Sequence, residues 1–199
     1  MVTSDHVDWV AAECTAFLRS VADRNWGTEV LHLEWTVAEV VAHMAETCLW
    51  YAVDLAAGGP DLAIVEHRVE PEAAPELLVD TLATFARITA AVIDASPDDA
   101  RGYHPYGPAD PSGFAAMTCD ELLVHTSDVG RGLEEPFAPS PDLPAAVVAR
   151  LFPWAPEGIE PWDVLLWANG RTELRGHGRL TEWRWHSRPL SEWDGTVPA

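Results

Sequence analysis

Apolar residues recur at intervals of three and four along four long stretches of the chain, the pattern of amphipathic helices. The first stretch puts Val7, Val10, Cys14, Phe17, Leu18 and Val21 on one face, with Ser4 as the expected cap and Asp5 and Asp8 favourable in the opening turn. The second opens on a capping box, with Thr36 as cap, Glu39 three residues on, and Trp35 and Val40 spaced for a hydrophobic staple. Its stripe of Val40, Met44, Cys48 and Tyr51 predicts a helix running to Ala57, where Gly58, Gly59 and Pro60 end it. A third helix is predicted over Glu76–Ala95, with Leu78, Leu82, Phe85, Ile88, Val92 and Ile93 inward and the Ser96–Asp99 run as its stop. The fourth, from near Ser112 to Leu133, carries the apolar Leu122, Leu123, Val124, Val129 and Leu133 and should be largely buried.

The remaining segments read differently. Leu62–Pro75 is polar and irregular, with His67 on its surface. Arg101–Gly113, rich in proline and glycine, is a loop in which Tyr103 and His104 either line a pocket or simply pack. After Pro136 come two short helices, Leu143–Leu151 and Pro161–Ala168, and one strand or extended segment over Arg179–Ser187. Tryptophans crowd this tail from Trp154 to Trp193, so it should pack onto the helices. The expected fold is all-α: an up-and-down four-helix bundle over residues 1–135, with a Trp-rich extension over 136–199 lying on it.

Candidate chemistry sits on two of these helices. Glu121 and His125 are four residues apart and so project from one face, about 6 Å apart along the axis. A carboxylate and an imidazole on a buried helix are costly unless something pairs with them, and a divalent cation would. His43 on the second helix is an available third ligand, and three protein ligands leave a coordination position open, as in catalytic zinc sites. Two blander readings compete. Thr118 and Glu121 match a capping box, and a lone His43 beside an apolar stripe suits a core histidine. Asp128 and Glu46, each three residues beyond a candidate histidine, either orient an imidazole or are solvated charges.

The stretches WTVAEVVAHMAE and ELLVHTSDVGRGL, in that order, resemble the mycothiol-dependent maleylpyruvate isomerase metal-binding domain, a branch of the DinB-like four-helix bundles. PWDVLLWANGR followed by WRWHSRPL is similar to a short tail found on many members. The resemblance implies that His43, Glu121 and His125 bind a divalent metal, zinc by ligand type, and that the low-molecular-weight thiol mycothiol is the cofactor. The metal-activated thiol would add to a small electrophilic substrate and then leave, giving isomerisation, or stay, giving S-transfer. A hydrolase using metal-bound water, or a bundle that binds without catalysis, are the alternatives.

Composition narrows the setting. At 199 residues the chain is long enough to bury roughly 70% of its unfolded surface. Its net charge is -20, and residues 1–149 hold -19 of it. Such an acidic body repels polyanions, which excludes nucleic acid and anionic membrane as partners. All 12 basic residues are arginine, a bias of GC-rich genomes that fits a mycothiol-using actinobacterium. Arg87, Arg131, Arg171 and Arg175 are candidates to hold an anionic substrate, because arginine grips carboxylates bidentately. Cys14, Cys48 and Cys119 show no CxxC spacing and read as reduced core thiols. With no membrane-length apolar run and no signal peptide, the expected setting is cytoplasmic, as a monomer or homodimer.

Overall fold

The computed structural model describes residues 1–31, 33–62 and 66–197. Four long helices dominate it: α1 (Ser4–Ser20), α2 (Val37–Ala57), α3 (Pro75–Ala95) and α4 (Pro111–Gly132). Two shorter ones follow, α5 (Asp142–Leu151) and α6 (Pro161–Ala168), and a 3-10 turn at Leu190–Glu192. The all-α bundle is thus the architecture of the chain. A two-residue hairpin, β1 (Glu29–Val30) with β2 (Trp35–Thr36), pairs antiparallel just before α2. No helix among the described residues is long and apolar enough to cross a membrane.

Local sequence sets most of the boundaries. Thr36 caps α2 and accepts from the Glu39 amide, while Glu39 reaches back to the Thr36 amide at 2.7 Å. Pro75 opens α3 at a position where its missing N–H costs nothing. Two expectations shift. The cap of α1 is Thr3, not Ser4: the His6 ring folds back onto the Thr3 hydroxyl at 3.0 Å, and Ser4 is already helical. Along α3 the buried face is Leu78, Val79, Leu82, Ala86, Thr89, Ala90 and Ile93, so Ile88 faces solvent. The Thr89 hydroxyl explains this turn of the helix, since it donates to the Cys48 carbonyl at 2.6 Å from within the core.

The helices neighbour one another as α1–α3–α2–α4, with α1 and α2 diagonal. Arg19 near the end of α1 meets Asp80 near the start of α3, so these two run antiparallel. The starts of α2 and α3 lie side by side around Thr36, Ala38, Ala73 and Pro75, so those two run parallel. The order of directions is therefore one helix up, two down and one up, differing from simple alternation at the α2–α3 connection. That connection, Gly58–Ala74, has to travel back along α2. Glu46 accepts from the Val69 amide at 2.7 Å, and the ring of His67 lies 4.7 Å from that of Trp50, with its Nε2 3.0 Å from the Glu46 carbonyl. Glu46 is thus a tether for the crossover rather than a partner of His43, and His67 is half-buried against α2 rather than a plain surface residue. Of the irregular segment expected over Leu62–Pro75, residues 63–65 lie outside the described residues.

The tail packs through α5 onto α4, with α6 against α5. Arg150 on α5 pairs with Asp110 and donates to the carbonyls of His186 and Ser187, pinning the tail beside the start of α4. The Arg179–Ser187 segment forms no strand and bends at Thr181 and Glu182, with Trp185, His186 and Ser187 buried.

Candidate metal centre

Asp110 caps α4 by accepting from the Gly113 amide at 2.9 Å, so the helix starts at Pro111, seven residues before Thr118. Thr118 lies inside it and donates to the Phe114 carbonyl, which removes the capping-box reading of Glu121. Most of α4 is buried, because α1, α2 and α5 cover it from three sides. Its Glu121 and His125 therefore point from a buried helix toward α2, where His43 meets them.

One ligand atom from each of His43, Glu121 and His125 lies within 4.8 Å of the other two. Glu121 Oε2 is 3.2 Å from His125 Nε2 and 3.6 Å from His43 Nε2. Two atoms each about 2.1 Å from one tetrahedral ion stand about 3.4 Å apart. Glu121 Oε2 is buried and accepts no hydrogen bond, although two imidazole nitrogens face it. A buried anionic oxygen in that position requires positive charge beside it, from a protonated imidazole or a metal ion. The donor set of two imidazoles and one carboxylate fits a divalent ion of the zinc type.

The surroundings reinforce the same sign of charge. Asp128 Oδ2 lies 3.1 Å from His125 Nδ1, the ring atom away from Glu121. Arg171 grips Asp128 through Nε and Nη2 at 2.9 to 3.2 Å, so Asp128 is positioned on both sides. Burial alone would raise the pKa of Asp128, but His125 and Arg171 outweigh it and hold it below the usual range. Glu121 follows the same logic: burial disfavours its charge, yet His125 and His43 pull its pKa well down. Burial likewise disfavours charge on His125, and Asp128 and Glu121 override it, raising the pKa to about 9. The two carboxylates favour positive charge at the centre, whether a proton or a metal ion carries it.

Access comes from one side. The His43 side chain is 34% exposed while those of Glu121 and His125 are 13% and 11%, so solvent reaches the cluster past His43. Trp35 leans on the His43 ring with centroids 4.9 Å apart, and the Tyr51 hydroxyl stands 3.5 Å from Glu121 Oε1. His104 is buried from the loop side, its ring 6.0 Å from that of Tyr51 and 5.6 Å from that of Trp185. Of the four arginines singled out from sequence, Arg131 and Arg171 line a common cavity with Arg179, whereas Arg87 and Arg175 are exposed elsewhere. Cys14, Cys48 and Cys119 are free and fully buried, and burial pushes the Cys14 thiol up to about 12, so none is a reactive thiolate.

Sequence reasoning missed one polar residue that holds the site in place and misjudged the role of a second. Asp120 turns away from Glu121 and accepts from Asn169 Nδ2 at 2.8 Å and Trp185 Nε1 at 3.0 Å, tying α4 to the tail. Arg171 was legible only as a generic cation, since its bond to Asp128 spans 43 residues of sequence.

No curated protein and no solved structure matches the chain. The family model described as the mycothiol maleylpyruvate isomerase N-terminal domain matches residues 8–130, which span α1 to nearly the end of α4 and include all three converging side chains. The chain belongs to the mycothiol maleylpyruvate isomerase N-terminal domain family.

Proposed function

We propose that this chain is a metal-dependent enzyme of thiol chemistry, in which His43, Glu121 and His125 hold a divalent cation, zinc by donor type. Mycothiol is the proposed thiol and a small electrophile the substrate, with isomerisation or S-transfer as the outcome. The observation that carries the reading is the buried, unbonded Glu121 Oε2 flanked by two imidazole nitrogens at 3.2 and 3.6 Å. Family membership supports the choice of thiol and electrophile.

When bound, such an ion lowers the pKa of a coordinated thiol, so that a thiolate persists near neutral pH. The chain's own residues supply position and access. Asp128 Oδ2 stands 3.1 Å from His125 Nδ1, so the other ring nitrogen, Nε2, is the one directed at the centre. Arg171 keeps Asp128 charged and in place. Trp35 covers one face of His43, and the exposed edge of that histidine leaves the approach open. Tyr51, buried beside Glu121, holds its proton, because burial and the neighbouring carboxylates raise its pKa well above the ordinary value. It is therefore a donor at the wall of the site and not a base.

The test begins with metal analysis of protein purified without a polyhistidine tag. Metal-loaded protein is then incubated with mycothiol and a panel containing maleylpyruvate and a chlorinated aromatic. Near-stoichiometric zinc and thiol-dependent turnover are expected, and His125→Ala should lose both. Turnover that survives this substitution, or that needs metal but no thiol, would overturn the reading in favour of a hydrolase.

A further inference from the structure

The cavity beyond Asp128 is lined by Arg131, Arg171 and Arg179 and walled by Val30, Leu31 and Leu33 of the hairpin. Three of the chain's 12 basic residues thus meet in one place, although the protein carries a net charge of -20. A single carboxylate, Asp128, lines the same cavity, and Arg171 is already committed to it. Among the described residues neither Arg131 nor Arg179 is paired with a carboxylate. Each instead donates one hydrogen bond to a carbonyl of the same turn, Arg131 to that of Arg171 at 3.2 Å and Arg179 to that of Gly170 at 2.6 Å.

Gly170 has φ of +66°, and a Cβ there would stand 2.7 Å from the Leu180 carbonyl, so the turn is specific to glycine. Three guanidinium groups are therefore organised around one turn that follows α6, with the remaining N–H groups of Arg131 and Arg179 unspent. Guanidinium forks match carboxylates bidentately, and positions fixed in advance reduce the entropy lost on binding. The apolar wall gives the ligand a second requirement: an inorganic anion would leave Val30, Leu31 and Leu33 uncovered. Leu31 is 79% exposed, an apolar side chain at the rim of a cationic cavity.

We propose that this cavity binds a small organic carboxylate through Arg131 and Arg179, with Arg171 as the fixed cation between them and the hairpin leucines against the carbon skeleton. It adjoins the metal centre, because Asp128 touches both Arg171 and His125. It does not depend on the metal or on the thiol chemistry.

Calorimetric titration of the full chain at low ionic strength tests this, with benzoate and maleate as probes, benzamide as the uncharged counterpart of benzoate, and inorganic phosphate as a simple anion. Saturable millimolar binding of at least one carboxylate is expected, with none for benzamide. The double variant Arg131→Gln/Arg179→Gln should weaken that binding by about tenfold or more while metal content and melting temperature stay unchanged. His43→Ala should retain carboxylate binding even where it loses metal, which separates failure of the cavity from failure of the metal centre. Absence of saturable binding by both carboxylates would overturn the proposal. So would equal binding in the double variant, or phosphate binding as tightly as either carboxylate.

Discussion

Asp120 and Glu121 are adjacent carboxylates on the same buried helix with opposite fates. Asp120 faces two neutral donors, Asn169 and Trp185, and burial together with the charge of Glu121 raises its pKa to about 7. Glu121 faces two imidazoles and is held ionised. The sequence made the second legible, because an i,i+4 spacing places partners on one face. It could not reveal the first, whose partners lie 49 and 65 residues away. His104 is a similar case: its identity in a loop said nothing of its burial among Tyr51, Tyr106 and Trp185. Burial lowers its pKa from 6.5 to about 4, against a small opposite pull from Glu121. The unfolded chain therefore binds a proton at this position more readily than the folded one. The resulting stability is complete above the unfolded value and drains away as pH falls toward 4. At pH ~5 the loss from this group is on the order of 2 kcal/mol. Melting curves at pH ~7 and ~5 should show that drop in the wild-type protein and a smaller one in His104→Gln. An identical drop in both would place the acid sensitivity elsewhere.

At the scale of elements, the sequence specified helices well because their signals are local. The Thr36–Glu39 box, the Gly58 stop and the proline starts all act within one turn. It specified faces less well. Ile88 was expected inside α3 and is exposed, because the helix turns to bury the Thr89 hydroxyl against the Cys48 carbonyl. Hydrophobicity alone does not encode that preference. The contact of α4 with the tail was also silent, since it depends on a side chain that is missing. A Cβ at Gly113 would lie 2.4 Å from the Ser187 carbonyl and 2.9 Å from Arg150 Nη2. The helix is otherwise regular there, so Gly113→Ala gains slightly in helix propensity and loses more by pushing the tail away. A net destabilisation of about 1–3 kcal/mol is expected, measured by urea unfolding. The same substitution at Gly178, where a Cβ meets nothing, should be close to neutral. Equal effects at the two positions would contradict the packing argument.

At the scale of the whole molecule, the one feature the periodicity could not give was the direction of α3. An apolar stripe reads the same whether its helix runs up or down, and the length of Gly58–Ala74 permits either a turn or a return. The Glu46–Val69 and His67–Trp50 contacts show the return. This topology puts the start of α2 beside the end of α4, where Val37 packs near Gly132, and so carries His43 across to His125. The candidate centre therefore clamps two antiparallel helices in a bundle that already has its own core. Fully buried Met44, Leu82, Met117 and Leu122 come from α2, α3 and α4, and Leu18 from α1. A metal there should contribute by mass action to a fold that exists without it, unlike a zinc finger whose metal is its core. Excess chelator is therefore expected to lower the melting temperature of metal-loaded protein by several degrees while leaving the helical circular dichroism at room temperature intact. His125→Ala should melt at one temperature with or without chelator. Collapse of the helical signal on chelation at room temperature would instead make the metal a structural element of the bundle. No change in melting temperature for metal-loaded wild-type protein would count against the three side chains as its ligands.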